Sequence, residues 1–227
     1  MNGRIILQKG LKNQPDFRNL DTAKNYIMKK ILFSALPLMA IAVITLNGAS
    51  DPLAIGASIP NADTKMKDIN GKEVSFNDVK KKNGILVMFS CNTCPVVKKY
   101  ESRTVEVSKT AMQNEIGVIL LNPNEGSREN GDSYNDMKAY AKRIGYSFNY
   151  AMDNNSVMAD AFGANRTPEC FLFDKEGKLV YHGAIDDNAT QANTRQPYLK
   201  QAIANLVKGE KIDPEKTRSV GCTIKRQ

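Results

Sequence analysis

Apolar positions along this chain fall into short runs, separated by polar stretches rich in Gly and Asn. The runs read as strands alternating with helices. Residues 64–69 and 72–76 flank Asn70-Gly71, a pattern that predicts a β-hairpin closed by a type I′ turn. Residues 77–81 suit a short helical turn with Asn77 as its cap. Ile85-Leu86-Val87-Met88-Phe89 is unbroken apolar sequence of strand length, as expected of a central strand covered on both faces. Pro95 stands where a helix can begin, because its missing N–H is not needed in a first turn. A helix over 95–114 places Val96, Val97, Tyr100, Val105, Val107 and Met112 inward, and Lys98, Lys99, Glu101 and Arg103 outward.

Residues 116–121 form a second apolar strand, 122–132 a loop, and 133–144 a helix with Met137, Tyr140, Ala141 and Ile144 on one face. A strand over 148–152 and a helix over 155–162, stopped by Gly163, come next. Strands over 169–173 and 178–182 are joined by Asp174-Lys175-Glu176-Gly177. A last helix starts at Arg195 or Gln196 and ends before Gly209. Strands alternating with helices, then a hairpin and a helix, predict an α/β fold. Its mixed central sheet is flanked by helices and preceded by the N-terminal β-hairpin. The expected organisation is a linker over 51–62, one domain over 63–209 and a polar tail over 210–227 that carries Cys222.

The first fifty residues follow a different pattern. Met28-Lys29-Lys30 precedes an apolar run over 31–46, broken by Ser34, Pro37 and Thr45, and Gly48-Ala49-Ser50 follows. A basic start, a short apolar segment and a small-residue exit are the layout of a secretory signal peptide, expected over 28–50. The run is shorter than the roughly 20 residues of a bilayer-spanning helix. Residues 1–27 then read as an upstream extension, untranslated or disordered. The expected location is the periplasm, with an uncleaved leader acting as membrane anchor as the alternative. The formal charge of +8 belongs mostly to this leader. Residues 1–50 carry seven Lys/Arg against two Asp/Glu, and the rest carry twenty-five against twenty-two. Without clustered charge on the folded part, no nucleic-acid partner is expected.

Candidate chemistry centres on Cys91 and Cys94, in Phe89-Ser90-Cys91-Asn92-Thr93-Cys94-Pro95. The pair sits where a buried strand meets a helix. Two cysteines three positions apart there can close a disulfide, and the first faces the positive end of the helix. The thiolate so favoured is the nucleophile, and the second thiol can resolve a mixed disulfide. Cys91 is therefore the expected attacking thiol, Cys94 the resolving thiol, and Cys91–Cys94 the first expected disulfide among three full pairings of four cysteines. Cys170 and Cys222 lie 52 positions apart and His182 is the only histidine, a set that does not read as zinc spacing. No metal or cofactor is expected. Cys170 reads either as a small buried hydrophobe or as an accessory thiol beneath the pair. Cys222 could fold back onto Cys170 or Cys94 as a relay. His182 reads as a surface or half-buried residue, and Asp186-Asp187-Asn188 as a solvated turn.

Thr167-Pro168 precedes a strand about 75 residues after the cysteine pair. A strand–CxxC–helix unit followed by Thr-Pro resembles the thioredoxin superfamily, and the resemblance implies that Pro168 is cis and that Thr167 and Pro168 face the dithiol and position its substrate. Four motifs together resemble the peroxiredoxin-like branch of the AhpC/TSA redoxins: Cys91-Asn92-Thr93-Cys94-Pro95, Arg166-Thr167-Pro168-Glu169-Cys170-Phe171-Leu172-Phe173-Asp174, Gly183-Ala184-Ile185-Asp186-Asp187-Asn188 and Gly221-Cys222-Thr223-Ile224-Lys225. Two departures matter. Peroxiredoxins proper carry Thr or Ser three residues before the peroxidatic cysteine, where this chain has Cys91 before Cys94 and Met88 before Cys91. Met88 also stands about where thioredoxins carry an acid. Arg103 and Arg166 are the candidate cations for lowering a thiol pKa.

These observations lead to an exported thiol–disulfide oxidoreductase that exchanges disulfides with disulfide-bearing or dithiol partner proteins, with a membrane electron donor as a further expected partner. Membrane contact is expected only through an uncleaved leader. The alternatives are a thiol peroxidase and a non-catalytic Cu(I)- or partner-binding redoxin.

Overall fold

A computed structural model describes residues 51–190 and 193–227. The expected signal peptide, the upstream extension and the membrane-anchor alternative lie outside these residues. Among the described residues no helix is long and apolar enough to cross a membrane.

A five-stranded mixed sheet forms the centre. Its strands are β3 (Ile85–Phe89), β4 (Gly117–Asn122), β5 (Asn149–Met152), β7 (Glu169–Phe173) and β8 (Leu179–Gly183), in the spatial order β5-β4-β3-β7-β8. β3 pairs parallel with β4 and antiparallel with β7. All five residues of β3 are buried because both faces are covered. Leu86 and Met88 point to one layer, made by α2 (Pro95–Gln113), α3 (Tyr134–Ile144) and α5 (Tyr198–Lys208). Ile85, Val87 and Phe89 point to the other, made by α1 (Phe76–Val79) and α4 (Val157–Phe162). The period-two alternation of a strand thus sorts the apolar run into two cores.

Helix boundaries follow local chemistry. Ser133 caps α3 in a reciprocal box with Asp136, and Gly145 ends it in the left-handed conformation. Gly163 and Gly209 stop α4 and α5 in the same way. Ser75, not Asn77, caps α1, because its box partner Asp78 stands at the third helical position. The hairpin of β1 (Met66–Lys67) and β2 (Glu73–Val74) is present but shorter than expected. Its turn is not type I′. Gly71 alone of the pair has positive φ, the Gly71 amide donates to the Asp68 carbonyl, and the Asp68 side chain accepts from the Asn70 amide. That side-chain bond stabilises a right-handed turn ahead of Gly71.

Three polar residues sit deeper than expected. Arg103 is buried within α2. It pairs with Asp186 and donates to the carbonyls of Lys99, Asn188 and Ala189. A dense set of acceptors therefore draws into the interior a side chain that helical spacing alone put outside. Asp186 is likewise buried, and also accepts from the Tyr100 hydroxyl at 3.0 Å. Asp187 remains exposed and accepts from the amides of Arg195 and Gln196. His182 is buried, stacked on Phe171 at 4.4 Å and hydrogen-bonded to Glu169 at 2.7 Å.

The tail is ordered by pairing. β6 (Arg166–Thr167) and β9 (Cys222–Thr223) form a small antiparallel sheet in which Thr167 faces Cys222.

Candidate redox site

The antiparallel register of β3 and β7 builds the site. Phe89 pairs with Glu169, so two further residues along each strand bring Cys91 opposite Thr167. The Cys91 sulfur lies 3.2 Å from the Thr167 hydroxyl. The Thr167–Pro168 bond is cis, as the resemblance implied. Cys94 is the N-cap residue of α2, and Pro95 opens the helix. The Cys94 sulfur lies 3.3 Å from the Thr167 carbonyl oxygen. Thr167 thus touches both sulfurs, and Pro168 follows between β6 and β7. The expected positioning pair therefore stands beside the expected thiols.

The disulfide is not the expected one. Cys94 is bonded to Cys222, 128 residues away, while Cys91 and Cys170 are free and buried. Sequence spacing favoured Cys91–Cys94 because the two are near neighbours. The β6–β9 pairing instead delivers Cys222 to Cys94, and the Cys91 sulfur is held by the Thr167 hydroxyl. Folding of Cys222 onto Cys94, one of the two relay contacts expected of it, is present. Folding onto Cys170 is not. Cys170 packs with Leu86, Met88 and Leu172 in the core covered by α2, and pairs across the sheet with Met88 and Gly183.

A polar cage that the sequence reading missed holds the loop between the cysteines. Buried Asp132 accepts from the Asn92 amide at 2.7 Å and the Thr93 hydroxyl at 2.8 Å. It also accepts from the side-chain amides of Asn122 and Asn124. The Tyr150 hydroxyl donates to Asn92 Oδ1 at 3.0 Å, and the Asn92 side-chain amide donates to the Gly131 carbonyl. Arg128 donates to the Asp132 carbonyl, the Asn122 side-chain oxygen and the Asn122 and Asp153 carbonyls, which pins the loop from behind. The available signal was composition. An Asn-rich loop with a single Asp beside Gly supplies amide donors and one carboxylate to collect them. Their convergence on Cys91-Asn92-Thr93-Cys94 needed three dimensions.

Electrostatics do not favour a Cys91 thiolate here. Burial pushes the Cys91 thiol above its ordinary value of 9.0. The Thr167 hydroxyl opposes the rise, the Asp132 charge adds to it, and the Cys94 and Thr93 amides oppose it again. Neither expected cation is a contact of the sulfur. Arg103 is committed to Asp186, and Arg166 donates to the Gly221 carbonyl at 3.1 Å. Glu169 supports the strand that carries Thr167. Its carboxylate accepts from the Asn165 and Arg166 amides and binds His182. Among the described residues no group of three or more His, Cys, Asp or Glu is arranged to hold a metal ion. A groove of about 560 Å³ lined by Tyr100, Asp186, Tyr198, Lys216 and Val220 includes neither Cys91 nor Cys94 in its walls.

A mixed sheet between helices, a Cys-x-x-Cys where the central strand meets its helix, and Thr-cis-Pro alongside define a thioredoxin-fold thiol–disulfide oxidoreductase. Comparison with known proteins narrows the class: the chain belongs to the AhpC/TSA family, whose model matches residues 55–182. The thiol-disulfide oxidoreductase ResA of Bacillus anthracis is 25% identical over 130 residues, 57% of this chain and 69% of that protein. ResA of Geobacillus thermodenitrificans is 23% identical over 127 residues, 56% of this chain and 67% of that protein. Among solved structures, an uncharacterized conserved protein from Geobacillus kaustophilus is similar with a TM-score of 0.73 and 28% identity, over 78% of this chain and 95% of that one. A hypothetical protein from Sinorhizobium meliloti has a TM-score of 0.72 and 27% identity, over 78% and 97%.

Proposed function

We propose that this protein exchanges disulfides with partner proteins through Cys94, with Cys222 as the thiol that closes the cycle. The observation that carries this reading is the Cys94–Cys222 bond beside Thr167–cis-Pro168. In the reduced protein, the Cys94 thiolate attacks a partner disulfide and releases one partner thiolate. The Cys222 thiolate then attacks the Cys94 sulfur, forms the intramolecular bond and releases the second partner thiolate. Two electrons pass to the partner, and its two thiolates take up the protons that Cys94 and Cys222 lost. The sequence assigned attack to Cys91; the bond to Cys222 instead supports Cys94 in that role, leaving Cys91, free and buried, as a further thiol of the site.

The same bond favours a second reading, peroxide reduction. A peroxide would oxidise the Cys94 thiolate to a sulfenic acid, and Cys222 would condense with it, releasing water. Insulin reduction and hydrogen peroxide consumption, measured for wild type, Cys91→Ser, Cys94→Ser and Cys222→Ser, separate the two. Exchange predicts insulin turnover that is lost with Cys94 and weakened without Cys222. Rapid peroxide turnover dependent on Cys94, with no insulin turnover, would overturn it.

We further read the chain as exported, into a compartment where disulfides persist. The basic–apolar–small pattern over 28–50 supports this, as does a mature part that carries a closed bond. Its electron donor would then be a dithiol protein of that compartment or of the adjoining membrane. Alkylation of thiols in rapidly acidified cell fractions tests the location.

A further inference from the structure

The tail makes more than a covalent contact. Cys222 pairs with Thr167 and Thr223 with Arg166 in antiparallel register, and the Ile224 amide donates to the Asn165 carbonyl at 3.1 Å. Among the described residues this short sheet contains only β6 and β9. On one side of Cys222, the Gly221 backbone lies against the Thr167 carbonyl. A Cβ built on Gly221 would stand 2.2 Å from that oxygen, so the close approach requires glycine. Two residues past Cys222, Ile224 is only 4% exposed and joins the core of Phe89, Phe162 and Phe171. Arg226 then pairs with Asp160 and donates to the Ala164 carbonyl. The free thiol of Cys91 is 0% exposed, and Cys222 packs on the cluster that contains it.

Backbone pairing, a disulfide at the paired residue, a close backbone approach on one side and a buried side chain on the other are the features of a strand bound to a protein edge. We infer that the segment 221–224 occupies, within its own chain, the seat that an extended cysteine-bearing segment of a partner takes on this protein, so that the closed tail is a latch over the site. This rests on the proposed exchange at Cys94, and it adds a specificity rule and a gate. The seat selects a glycine immediately before the partner's cysteine and an aliphatic residue two positions after it. The gate opens when an external dithiol reduces the latch. One of its thiolates attacks the Cys222 sulfur and releases the Cys94 thiolate, and its second thiol closes the reductant's own disulfide and releases the Cys222 thiolate. Two electrons enter the protein, and the two protons lost by the dithiol balance the two thiols formed.

The test uses the full chain and a synthetic peptide, Val-Gly-Cys-Thr-Ile-Lys-Arg, with its cysteine held as a mixed disulfide to 2-thiopyridine. Two control peptides replace the glycine by alanine or the isoleucine by aspartate. Capture is read as the rate of thiopyridone release and by mass spectrometry of the Cys94–peptide adduct. In the Cys222→Ser protein the parent peptide should be captured at least tenfold faster than either control. In oxidised wild type it should not be captured until dithiothreitol has opened the latch and been removed. Equal rates for all three peptides, or equal capture by latched and opened wild type, would overturn the seat. Dipyridyl disulfide serves as a small reference. Reaction of Cys94 with it at normal rates, without peptide preference, removes the seat and leaves the exchange function standing. Reaction with neither removes both.

Discussion

Cys91 and Cys170 make an instructive pair. Both are free, both are fully buried, and burial raises both thiol pKa values. Their surroundings differ in kind. Cys91 lies at the open end of β3, against the Thr167 hydroxyl and near the amides of Thr93 and Cys94, and its loop is tied to Asp132. Cys170 lies inside β7 among Leu86, Met88 and Leu172, with no hydrogen bond opposing the rise and with Glu169 and Asp186 adding to it. Equal exposure therefore conceals opposite prospects. One sulfur has hydrogen-bond donors that oppose its raised pKa, and the other behaves as a small hydrophobe.

The largest expected effect separates the site from the core outright. Cys94→Ser should lower exchange turnover by about 10³-fold or more, as removal of a reacting nucleophile does, while Cys170→Ala leaves turnover within twofold. Insulin reduction rates decide this, and a comparable loss in Cys170→Ala would erase the distinction. Next comes the cage. Asp132→Ala leaves four donors without their acceptor. It should cost roughly 3 kcal/mol by denaturant titration, given the usual penalty for buried unpaired polar groups. Cys91 should also become alkylated faster in the reduced variant, with Cys170 still protected.

A pH series refines the comparison. In each case the folded protein holds the thiol proton above pH 9.0 while the unfolded chain releases it, so stability falls as pH rises past that value. Guanidinium midpoints between pH 8 and pH 10 should drop in the reduced wild type. Cys170→Ala and Cys91→Ala should each remove part of that slope. An unchanged slope in either variant would mean that its thiol is not held protonated by burial. The smallest effect is the packing cost of Cys170→Ala, about 1 kcal/mol at neutral pH.

Much of the fold was legible because periodicity encodes it. The unbroken run 85–89 and the glycines at 163 and 209 each act over a few residues, and each stands where it was expected. Cys91, Cys94, Thr167 and Pro168 were legible as a set, and the β3–β7 register brings them together. Long-range polar choices were not legible. Arg103 reads as solvated until Asp186 is placed, and His182 reads as superficial until Glu169 and Phe171 meet it. β9 contains only two residues and has no period to detect. Its one local signal is Gly221, whose meaning depends on a carbonyl 54 positions earlier in the chain.

The bond from Cys94 to Cys222 also closes a covalent ring around most of the domain. A link across 128 residues removes roughly 5 kcal/mol of unfolded-chain entropy in the loop-closure account. Linkage makes that term reciprocal: whatever the ring contributes to folding, folding contributes to keeping the ring closed. The redox state of this protein is thus written into its melting temperature. A thermal scan with and without a dithiol reads the electron inventory of the site without any substrate being added.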